Sequence, residues 1–138
     1  VNAEKILNGA IGILEQRGRC FGSYINQQGE VCVLGAMALA AEVEQDRWES
    51  LNVEWESEWA PKDAALVEAA RTLLKLLPFE VEFDDLPIED LVFYVGRWHD
   101  GVFDDDRWID SPTNAQVFAK LAEAVEAARL AEKAEASA

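Results

Sequence analysis

From Val31 to Ala41 the chain carries no charged side chain, and the run then stops at Glu42 and Glu44. Such a stretch is too short to cross a bilayer, which takes about 20 apolar residues. It has to be enclosed by protein instead. Leu34, Gly35, Ala36, Met37, Ala38, Leu39, Ala40 and Ala41 suit a helix whose small side chains let neighbours approach closely. The composition therefore predicts a central buried helix from Val33 to about Glu44.

Other segments supply apolar stripes at helical spacing. Ile6, Leu7, Ala10, Ile11 and Leu14 mark a first helix, with Asn2 placed to cap its start and Gly18 to end it. Pro61 suits the first turn of a helix whose Leu66, Ala70, Leu73, Leu74 and Leu77 face inward as far as Pro78. Pro87 opens another, with Ile88, Leu91, Val92, Val95 and Trp98 inward and Gly101 as its breaker. Ser111 or Thr113 can cap a long last helix with Val117, Leu121 and Val125 on its buried face, and Thr113 with Gln116 has capping-box spacing. Between residues 46 and 60, Trp48, Trp55 and Trp59 are spaced to share one helical face, but Asn52, Val53 and Ser57 favour an irregular segment as the alternative.

Two short stretches read as β. Tyr24 and Ile25 are separated from Val31 and Val33 by Asn26, Gln27, Gln28 and Gly29, which predicts a hairpin or an ordered turn. Phe79, Val81 and Phe83 alternate with Glu80, Glu82 and Asp84, the period of a half-buried strand. The expected architecture is a mainly α, compact bundle of about five helices with a small β-hairpin or minor sheet. One globular domain is expected over residues 1–130, followed by a frayed Ala- and Glu-rich tail at 131–138.

Charge bounds the partners. Twelve Lys and Arg stand against 27 Asp and Glu in 138 residues, a formal net charge of −15. That disfavours direct nucleic-acid binding and attraction to anionic membranes, and makes a basic patch on a protein the expected partner. Disorder does not explain the acidity, because half the residues are hydrophobic and they fall in periodic runs. No export signal opens the chain, and Cys20 and Cys32 are expected to stay reduced, so the expected location is the cytoplasm.

Chemistry-bearing residues are few. Cys32 precedes a helix whose dipole would favour its thiolate, and His99 is the single imidazole. With Asp100 or Asp110 as orienter they would make a Cys-dependent hydrolase or transferase. The plainer reading makes Cys32 a small buried hydrophobe and His99 a surface residue at a helix end. Cys20, Cys32, His99 and Asp100 lack paired metal-ligand spacing. A calcium loop begun at Asp104, with Asp106 and Asp110, would place Ile109 and Ala115 where Gly and Glu belong. No phosphate loop or dinucleotide fingerprint occurs, and neither cofactor nor metal is expected.

Between Phe79 and Asp110 eleven acids face only Arg97 and Arg107, interrupted by Phe93, Tyr94, Trp98, Phe103 and Trp108. Trp98, Phe103, Asp104, Asp105, Asp106 and Trp108, together with Trp55 and Trp59, are the candidate binding residues, since aromatic side chains anchor interfaces and acids select a basic partner. The alternative is a solvated surface that keeps the chain soluble.

The segment Arg17-Gly18-Arg19-Cys20-Phe21-Gly22-Ser23-Tyr24, with Gly29-Glu30-Val31-Cys32-Val33-Leu34-Gly35-Ala36, resembles a family of small uncharacterised proteins from actinobacteria and their bacteriophages. Trp98-His99-Asp100 and the region from Thr113 to Val125 are similar to that family's Trp-Asn-Asp segment and following helix. His99 stands where the family pattern has Asn, which weakens a His-dependent mechanism. The family has no assigned activity, so the resemblance implies a source and a fold grouping. The leading expectation is a non-enzymatic acidic interaction protein, in that setting a bacteriophage accessory factor acting on a host protein in the host cytoplasm. A nucleic-acid mimic that inhibits a DNA-binding protein, the Cys32 and His99 enzyme, and a homodimer through an Ala-rich or Trp-rich face are the alternatives.

Overall fold

The computed structural model describes residues 2–137. Six helices and one two-stranded antiparallel sheet make up a mainly α fold: α1 Ala3–Arg17, α2 Val33–Ala40, α3 Arg47–Leu51, α4 Pro61–Leu74, α5 Ile88–Asp100, β1 Val102–Asp104, β2 Arg107–Ile109 and α6 Asn114–Ala136. A single 3-10 turn, Glu56–Glu58, lies between α3 and α4.

The uncharged run sits where its composition demands. Every residue of α2 from Val33 to Ala38 is buried, and α1, α4 and α5 pack around it. Its small residues set the approach of the neighbours. A Cβ on Gly9 of α1 would stand 3.0 Å from the Ala40 methyl group, and a Cβ on Gly35 would drive into the Tyr24 carbonyl. The helix is shorter than its composition suggests, ending at Ala40 where Glu42 takes a left-handed φ of 61°.

Capping follows the sequence closely. Asn2 Oδ1 accepts from the Lys5 N–H at 2.9 Å, and the Gly18 N–H donates to the Leu14 carbonyl at 2.9 Å to close α1. Thr113 and Gln116 form a reciprocal capping box at the start of α6. Pro61 occupies the first turn of α4, where its missing N–H costs nothing. Among the described residues the buried apolar side chains of all six helices join in one cluster.

Several expectations are corrected. The three tryptophans do not share a face: Trp48 is buried in α3 and donates its indole N–H to the Leu34 carbonyl at 3.0 Å, while Trp55 lies beyond the end of that helix. Residues 23–33 form the ordered turn rather than a hairpin. Asn26 Oδ1 accepts from the N–H groups of Gln28 and Glu30, leaving only isolated bridges from Val31 to Arg19 and Ile25. Phe79, Val81 and Phe83 keep the alternation of partly buried and exposed positions but pair with no strand among the described residues; Arg71 braces the segment by donating to the Asp84 carbonyl at 3.0 Å. The sheet forms in the acidic loop, where Asp105 and Asp106 take φ values of 50° and 60° and turn β1 back onto β2. Helix α6 continues through the segment expected to fray, as far as Ala136; Ala138 lies outside the described residues.

Candidate functional site

The apolar stripe of α5 is Ile88, Leu91, Val95 and His99, at spacings of three, four and four residues. His99 is therefore part of the buried face and is 0 % exposed, which corrects its expected place on the surface. Arg19, from the loop after α1, donates from Nε to His99 Nε2 at 3.1 Å. An acceptor at Nε2 leaves the proton on Nδ1, which donates to Asp100 Oδ1 at 2.7 Å. Burial holds the imidazole pKa below its ordinary value, Asp100 opposing and Arg19 assisting, so the ring is neutral.

This trio ties three parts of the chain together. Arg19 also donates to the carbonyls of His99 and Pro112 and to Asn114 Oδ1, joining the loop after α1 to the end of α5 and the start of α6. Asp100 Oδ2 accepts from the Gly22 N–H at 3.0 Å, and Ser111 donates to the Asp100 carbonyl. Gly22, at φ 79°, lies directly under the Trp108 ring, where a Cβ would be 2.9 Å from Cζ2. The network thereby seats the hairpin against the 19–25 loop.

On that seat the hairpin displays its side chains to solvent. Phe103 and Trp108 are cross-strand partners with ring centroids 5.0 Å apart, exposed by 56 % and 37 %. Asp104, Asp105 and Asp106 are exposed at its tip beside Arg107. Trp98 is half-buried against the core, and Asp110 is exposed just past β2 with a φ of 61°. Trp55 is 76 % exposed and Trp59 packs partly against the core with its indole N–H unpartnered; both belong to the α3–α4 connection, a different element from the hairpin.

Cys32 caps α2 as the sequence suggests, its sulfur accepting from the Gly35 N–H at 3.4 Å. Burial outweighs that contact and pushes the thiol up to about 12, so at neutral pH it keeps its proton. Both His99 ring nitrogens are already engaged within the protein, by Arg19 and Asp100. Cys32 is therefore not an accessible thiolate, and His99 is not an unengaged base. Among the described residues no cluster of three or more His, Cys, Asp or Glu side chains is placed to hold a metal ion, and no helix is long and apolar enough to cross a membrane.

Sequence reasoning left Arg19 and Gly22 without roles and gave Ser111 only that of a candidate helix cap, which Thr113 fills instead. Arg19 and Gly22 lie in the segment that carries the family resemblance, yet their partners are about 80 residues away, beyond the reach of any local pattern. The chain belongs to a family of unknown function, DUF6197, whose model matches residues 1–127. No curated protein and no solved structure matches it.

Proposed function

We propose that the protein is a non-catalytic binding module that captures a basic patch on a protein partner with its acidic, aromatic hairpin. The observation that carries this reading is the solvent-facing Phe103–Trp108 pair beside three consecutive aspartates. Apolar rings in water are a standing cost that contact removes, and aromatic anchors supply much of the energy of many interfaces. The aspartates select a cationic partner and speed its approach in a field already set by a net charge of −15. The buried, protonated Cys32 and the engaged His99 weigh against a nucleophilic mechanism. Two reduced, buried thiols suit a cytoplasmic setting.

Affinity capture from a bacterial lysate tests the reading, with the wild-type chain and a Phe103→Ala/Trp108→Ala variant immobilised side by side. A specific partner retained at low salt by the wild type, eluted by high salt and lost from the variant is the expected outcome. Identical retention profiles on the two columns would count against the hairpin.

A further inference from the structure

Beside the hairpin a cleft of about 610 Å³ opens between the 22–25 loop, the start of α3 and α5. Its size falls among pockets that enclose small ligands, about 300–1,000 Å³. Tyr24 and Trp108 contribute aromatic rings, and Ile25, Leu34 and Val92 an apolar lining. Three carboxylates line it, those of Asp46, Glu49 and Asp100, and no lysine or arginine does.

The three carboxylates are not equivalent. Asp100 is used up, one oxygen on His99 and the other on the Gly22 N–H. Asp46 and Glu49 make no side-chain hydrogen bond or ion pair among the described residues, and Asp46 leaves the start of α3 uncapped. Burial, with the negative charge of Glu49 and Asp46 adding to it, pushes the Tyr24 hydroxyl up to about 12, so it stays a neutral donor at the same mouth. The cleft thus combines ring faces, an apolar wall and two unpaired negative charges.

We propose that this cleft receives an arginine side chain of the basic partner, with the guanidinium held by Asp46 and Glu49 and stacked on the rings of Trp108 and Tyr24. The inference rests on the binding role proposed above and names the chemistry of its partner. Arginine fits better than lysine because its planar, weakly hydrated head stacks on aromatic faces and meets a carboxylate with two parallel N–H donors. Trp108 belongs to the hairpin pair and to the cleft at once, so a segment lying over the hairpin passes the opening.

The test is an NMR titration that follows the Trp108 indole N–H, assigned with a Trp108→Phe variant. The probes are acetyl-Gly-Arg-Gly-amide, the same tripeptide with neutral citrulline, and methylguanidinium alone. The arginine peptide is expected to shift the resonance saturably, and the citrulline peptide to bind at least about tenfold more weakly. Asp46→Asn/Glu49→Gln, which removes no structural contact, is expected to weaken the arginine peptide by about fivefold or more. No shift, equal binding of citrulline, or an unaffected double variant would overturn the inference. Methylguanidinium binding as tightly as the peptide would also overturn it, in favour of a small-cation site.

A Phe103→Ala variant separates the two proposals. If it captures the partner as the wild type does while the arginine peptide still binds, the hairpin reading fails and the cleft stands. If it loses the partner while wild-type protein ignores the arginine peptide, the cleft inference fails alone.

Discussion

His99 occupies the fourth position of the stripe that Ile88, Leu91 and Val95 begin, and an imidazole buried there is stable only when both ring nitrogens have partners. Arg19 and Asp100 supply them, and the arrangement requires the neutral ring. The sign of the pH effect follows. Below an unfolded pKa of about 6.5 the unfolded chain takes up a proton that the folded chain resists, so the unfolded state binds more protons and stability falls as the pH is lowered. The contribution is complete above about pH 6.5 and is lost progressively below it, towards the depressed folded pKa. Denaturant midpoints measured between pH 8 and 5 are expected to drop across that window for the wild type and to lose the His-dependent part of the slope in His99→Asn. An unchanged slope in the variant would contradict the neutral, engaged histidine. Cys32 shows the same competition between position and burial. A helix dipole is worth about 0.3–1 kcal/mol at its end, whereas full burial moves a thiol by several pKa units, so burial decides.

Among the elements, α3 and α4 are held together by charge rather than by apolar area alone. Arg47 donates from Nε and Nη2 to the two oxygens of buried Asp63 at 3.0 and 2.9 Å, and its outer nitrogens reach Glu54 at 2.9 and 3.0 Å. Arg47→Ala would strand the Asp63 carboxylate and is expected to cost about 2–4 kcal/mol in urea unfolding. Adding Asp63→Ala should recover about 1 kcal/mol or more of the sum, and strict additivity would contradict a direct pair. The helices themselves were legible. Asn2, Gly18, Pro61, Pro87, Gly101 and the Thr113–Gln116 box all act at or beside the helix ends the sequence indicates. The sheet was not legible, because its two-residue turn is Asp105-Asp106 rather than Asn-Gly, and a run of acids reads as a solvated loop. The Asn26-to-Gly29 turn carried the stronger local signal, yet the Asn26 side chain satisfied the backbone itself and left little ladder to form. Of the candidate site, the exposed aromatics and acids of residues 103–108 were visible in composition, whereas the cleft was not: Tyr24, Asp46, Glu49 and Trp108 meet only through the fold.

Across the whole molecule, apolar and acidic residues divide the work. One core of small and branched side chains closes around α2, and the excess of acids is left on the outside, where it repels like charge and attracts a cationic surface at long range. A net charge of −15 acts on any basic polymer, so general attraction is a poor test of a site. What distinguishes the proposed function is that binding depends on where the charge sits. Glu80, Glu82 and Glu89 are exposed, lie outside the hairpin and make no ion pair among the described residues, which makes them a charge-matched control. The decisive measurement is the affinity of the captured partner, by isothermal titration at near-physiological salt, for wild type, Asp104→Asn/Asp105→Asn/Asp106→Asn and Glu80→Gln/Glu82→Gln/Glu89→Gln. The hairpin account predicts a loss of about tenfold or more in the first variant and a change of less than about threefold in the second. Equal losses in the two would contradict it.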